Sequence, residues 1–101
     1  MKIIQKLSEM IEEELEGAEQ YAKCALEHKE DNPALASVFY DIANQEMRHV
    51  DMLHDQVVSI IKKHREHHGE PPAPMMAVYE YLHKKHIEEA AEVKHYLEMY
   101  K

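Results

Sequence analysis

Apolar positions recur along this chain with the period of a helix, and two breaks divide the pattern into three runs. At the first break, KEDNPA (29–34), Asn32 can accept from free helix N–H groups. Pro33 follows at the first helical position, where a missing N–H costs nothing. The second break, HHGEPPAP (67–74), carries a stop at Gly69 and a new start at Pro74. Lys62, Lys63 and Arg65 precede that stop, at the negative end of the helix dipole. These signals predict helices over 3–29, 33–66 and 74–100, forming one domain: a hairpin 3–66, a linker 67–73 and a third helix.

In the second run Leu35, Phe39, Ile42, Glu46, His49, Leu53, Gln56 and Ile60 step alternately by four and three. Leu7, Ile11, Glu14, Ala18, Tyr21 and Ala25 do the same in the first. Such rows predict the buried seam of a helical bundle. Both are interrupted by a carboxylate, and the second also by an imidazole, although an unpaired buried carboxylate costs several kcal/mol or takes up a proton. Folding back at Asp31–Asn32 pairs residues whose numbers sum to about 63, which sets Glu14 level with His49 and within a turn of Glu46. Three polar groups at one depth are either a metal-binding layer or a hydrogen-bonded layer that fixes register. Glu46 and His49, three residues apart, project about 60° from each other and can reach one ion. Carboxylate with imidazole suits iron, manganese or zinc. Di-iron bundles use two lone glutamates and two Glu-x-x-His pairs. This hairpin has one of each, so a second copy across a twofold axis is expected to complete the set.

Composition narrows the classes. Gly and Pro are scarce and helix-forming residues abundant. A formal charge of −8 argues against a nucleic-acid partner and favours solubility or attraction of cations. The single cysteine, Cys24, forms no internal disulfide and reads as a small half-buried apolar residue, so a reducing, cytoplasmic location is expected. MKIIQKLSEM is too broken by charge for a signal peptide, and no run is long enough to span a bilayer. A chain of 101 residues buries a limited core, which favours a homodimer or larger homo-oligomer.

EELEGAEQYAKCAL (13–26) followed by NQEMRHVDML (44–53) resembles the ferritin-like superfamily, above all the encapsulated ferritins and the helical-bundle part of rubrerythrins. In those families a first-helix Glu stands seven residues before a Tyr, as Glu14 does before Tyr21, and a Glu-x-x-His follows about thirty residues later, as Glu46 and His49 do. The resemblance covers roughly residues 8–62. It implies an all-α ferritin-like fold whose four-helix bundle is completed by dimerisation. It further implies a ferroxidase centre at the homodimer interface, with two irons, or manganese or zinc as substitutes, held by Glu14, Glu46 and His49 of both subunits. Tyr21 would stand beside the metals as a further catalytic candidate. The implied reaction is oxidation of Fe(II) to Fe(III) by O2 or peroxide, in iron handling, iron storage or oxidative-stress protection. Glu13 and Glu16 match positions that admit metal in the encapsulated ferritins; read from the residues alone, they are a solvated helix face. The chain has no Cys-x-x-Cys pair, so the electron-transfer domain of full rubrerythrins is missing, which weighs against peroxidase chemistry. An encapsulin-type shell is the partner the resemblance brings, yet HYLEMYK (95–101) reads as a helix end and not as a flexible targeting tail. Two other classes stand beside the enzyme: a protein holding zinc or iron without turnover, and a metal-free helical interaction protein.

The third run fits two seams equally, Met75, Tyr79, Leu82, His86, Glu89, Val93 or Met76, Tyr79, His83, His86, Ala90, Val93, and His86 belongs to both. Its Glu80/His83 and Glu92/His95 spacings are expected by chance in a helix so rich in both residues. It is expected to cover the hairpin or join subunits, in preference to holding a second metal. His64, His67 and His68 are expected in a solvated linker.

Overall fold

The computed structural model describes residues 1–101 and contains three helices and no strand: α1 Lys2–His28, α2 Pro33–His68 and α3 Ala73–Tyr100. The predicted signals act where expected. Asn32 Oδ1 accepts from the Leu35 N–H at 3.3 Å, and Gly69 ends α2 at φ 77°, a positive value that glycine adopts without strain. α2 runs two residues past its predicted end, so His67 and His68 join His64 in its last turns and none of the three lies in a linker. Their imidazoles suit the negative end of the dipole, and His64 packs against His68 with ring centroids 5.3 Å apart.

α1 and α2 form the predicted antiparallel hairpin. α3 runs back alongside α1, from Met1 against Met75 at one end to Lys29 over the Tyr100 ring at the other. It packs chiefly on α1 and only lightly on α2. That third layer corrects the predicted seams. The buried row of α1 is Ile4, Ser8, Ile11, Leu15, Ala18, Ala22 and Ala25, with Leu7, Glu14 and Tyr21 half-buried along its edge. The buried row of α2 is Ala36, Ala43, Val50, Val57 and Ile61. Of the predicted row, Phe39, Ile42, Glu46, Leu53 and Ile60 are half-buried, while Leu35, His49 and Gln56 are exposed. A helix turns about 100° per residue, so a one-residue shift swings the buried line towards α3 and leaves the predicted row facing away from it. In α3 both expected seams are used: His86, Val93 and Leu97 are buried, with Leu82 and Glu89 half-buried on one flank and His83 and Ala90 on the other.

The core is thin. Only 16 of 101 residues are buried, and the largest fully buried side chains are Leu15, Val57 and Val93. Ile4, Ile11, Leu15, Val50, Val57 and Ile61 fill the half away from the hairpin turn. Nearer the turn the core is built on Ala18, Ala22 and Ala43, whose small side chains let the backbones approach. The face away from α3 keeps Ile3 and Met10 of α1 and Leu35 of α2 exposed. No helix is long and apolar enough to cross a membrane.

Candidate metal centre

The hairpin register brings Glu14 and His49 together, with Glu14 Oε2 3.4 Å from His49 Nδ1. Glu46 stands one turn along α2, and its carboxylate lies directly over Gly17. A Cβ at position 17 would overlap Glu46 Oε2 and stand 3.0 Å from the carboxyl carbon. Glycine inside a helix costs about 1 kcal/mol relative to alanine, and here it makes the seat for a carboxylate. Glu46 Oε2 is shut off from solvent and has no hydrogen-bond partner. Burial, and then the negative charge of Glu14, raise the Glu46 pKa above the ordinary carboxylate range, while His49 acts against the shift.

An unsatisfied buried oxygen costs about 1–3 kcal/mol, and a cation is a partner that removes this cost. Two carboxylates and an imidazole are suitable donors for Fe(II), Mn(II) or Zn(II), so these residues fit the metals named from the sequence. The set is incomplete, however. The His49 side chain is 53% exposed and that of Glu14 30%, so the trio sits on an open face and not in an enclosed core. Within one chain no three His, Cys, Asp or Glu side chains surround a common point where an ion could be held.

The other sequence candidates are placed as follows. Tyr21 is half-buried one turn beyond Gly17, and its ring packs on Phe39 at 5.9 Å between centroids. Glu13 and Glu16 are exposed, as expected of a solvated face. Glu16 lies on the α3 side of α1, near enough to Glu89 to raise the pKa of that carboxyl. That is nearly opposite Glu14 on the helix, so within one chain its position does not lead to the trio. Cys24 is half-buried.

A second polar group, not foreseen in the sequence, lies between α1 and α3. His86 Nε2 is 2.9 Å from Glu12 Oε2, and the His86 side chain is 9% exposed. Glu89 Oε2 is buried without a partner. Burial first, then the charge of Glu12 and a hydrogen bond shared with it, then the charges of Glu19 and Glu16, push the Glu89 carboxyl up to about 7. Burial lowers the His86 pKa, against the pull of Glu12. On its other side His86 borders a cleft of about 450 Å³ between α2 and α3, where His54 and His83 stack with centroids 4.7 Å apart. The Glu80/His83 and Glu92/His95 spacings join nothing: His83 turns to His54, and Glu92 accepts from the Tyr96 hydroxyl at 3.1 Å. One signal pointed to this group, a histidine common to both seams of the third run, while the lone glycine inside the first helical run marks the seat of Glu46.

Compared with protein-family models, curated proteins and solved structures, the chain matches none.

Proposed function

We propose that this chain is one half of a di-iron ferroxidase, completed when a second copy packs on the open face of the hairpin. The observation that carries the reading is the Glu46 oxygen, buried over Gly17 without a partner and flanked by Glu14 and His49. A carboxylate held this way is costly until a cation arrives. The apolar side chains of Ile3, Met10 and Leu35, exposed on the same face, give a second hairpin something to bury. The ferritin-like resemblance of residues 13–26 and 44–53 points the same way.

Two copies would supply four carboxylates and two imidazoles, from Glu14, Glu46 and His49 of each. Bound iron would supply the electrons that reduce O2 or peroxide as Fe(II) becomes Fe(III). The chain's part is to assemble negative charge where positive charge rises and to present imidazole nitrogen as a neutral donor. It also keeps one oxygen of the Glu46 carboxylate out of water, where its attraction for a cation is less screened. The −8 charge of each chain favours the approach of cations.

Anaerobic loading with Fe(II), followed by oxygen and absorbance in the near ultraviolet, tests the reading. Fast ferric absorbance that is lost in Glu46→Ala supports it. Iron that binds but stays ferrous selects a holding protein without turnover, and a chain that binds no iron overturns both metal readings.

A further inference from the structure

Only two buried side-chain oxygens in the chain lack a partner, and they belong to Glu46 and Glu89. Their surroundings match. On α2, Glu46 and His49 are three residues apart, and His49 meets the lone Glu14 of α1. On α3, His86 and Glu89 are three residues apart, and His86 meets Glu12 of α1. In both groups the imidazole pairs with the α1 carboxylate while the orphaned oxygen sits one turn nearer the end of α1. The order along the helix is reversed because α2 runs against α1 and α3 runs with it.

We propose that Glu12, His86 and Glu89 form a second divalent-cation site, contained within one chain between α1 and α3. The donor set, two carboxylates and an imidazole, suits Fe(II) or Mn(II). This group differs from the first in its enclosure: the imidazole is nine-tenths buried, whereas His49 is half in solvent. Glu16 and Glu19 add negative charge beside Glu89, which favours a cation over a neutral ligand. Without an ion the three donors do not surround a common point. Closing on one requires the Glu89 side chain to turn and to give up the hydrogen bond that its carboxyl shares with Glu12. The rival explanation is that Glu12 and Glu89 share a proton and the group serves packing alone. This inference does not depend on the ferroxidase reading.

Mn(II) is the probe, because it favours carboxylates and binds stray surface histidines weakly. Free Mn(II) is read from its solution EPR signal. In an E46A/H49A chain, which lacks the first donor group, one Mn(II) per chain is expected to remain bound. Adding E89Q, which keeps the volume and removes the charge, is expected to weaken that ion by at least roughly tenfold, with helicity unchanged. No bound Mn(II) in the E46A/H49A chain, or equal affinity after E89Q, overturns the site. If E46A/H49A does not fold, E89Q alone must lower the stoichiometry by one ion per chain, and an unchanged stoichiometry overturns the site equally.

Discussion

Glu46 of α2 lays its carboxylate against α1 at Gly17, in the space that any other residue would fill with a Cβ. Helix propensity and site geometry therefore pull in opposite directions at position 17. Gly17→Ala should keep the fold and raise stability by up to about 1 kcal/mol, because the clashing group is the free end of a flexible side chain. It should also slow iron oxidation by about tenfold or more, because the Glu46 carboxylate loses its seat. Thermal unfolding and stopped-flow oxidation of one preparation read both effects. Parental oxidation kinetics in the alanine variant would mean that the seat has no part in iron chemistry.

Glu46→Gln should separate stability from function in the same sense. The raised pKa of Glu46 means that its contribution to stability is present at low pH and is lost as pH rises through the folded-state value. Glutamine carries no charge to desolvate, so in chelator the variant should gain about 1 kcal/mol at neutral pH and little at pH 4. Iron binding should fail. His49→Ala should likewise abolish fast oxidation while far-UV helicity survives, since His49 is exposed and carries little packing. Oxidation at the parental rate in His49→Ala would remove His49 from the site.

The helices were legible in the sequence because their punctuation is local: Asn32, Pro33 and Gly69 act through their own backbone neighbours. The level at which Glu14 meets His49 was also legible, since a short turn fixes the register of a hairpin. Which side of each seam is buried was not. Two helices alone would bury the row through Glu46 and His49, and α3 shifts the buried line of α2 by one residue, to Val50 and Val57. Charge patterns on a single helix could not reveal the Glu12, His86 and Glu89 group, because its members come from two helices far apart in the chain. The Glu80/His83 and Glu92/His95 spacings, read as chance, are not joined by the fold: His83 stacks on His54 and Glu92 accepts from Tyr96.

Glu89 should leave a signature in the pH dependence of the metal-free chain. Its carboxyl rises from 4.5 to about 7 on folding, facing Glu12, Glu16 and Glu19 of α1 and His86 of its own helix. A raised folded-state pKa gives stability that is complete below about 4.5 and is lost as pH climbs to about 7. The full shift corresponds to at most about 3 kcal/mol, reduced to about 1–2 by the water that reaches the group. Urea unfolding at pH 5 and pH 8 in chelator should show Glu89→Gln losing less stability across that range than the parent. Equal losses would place the Glu89 proton elsewhere.

The central claim is that iron and assembly are linked, because one chain holds only half of the donors. Four carboxylates brought together repel until cations neutralise them, so an ion that binds only the pair must draw the chains together by mass action. Sedimentation velocity under anaerobic conditions, with and without Fe(II), measures this directly. The metal-free protein should be a monomer–dimer mixture or a loose dimer, tightened by Fe(II), loosened again by chelator, and unresponsive to Fe(II) in Glu14→Ala. A chain that stays monomeric at every Fe(II) concentration and still oxidises iron rapidly would contradict the claim.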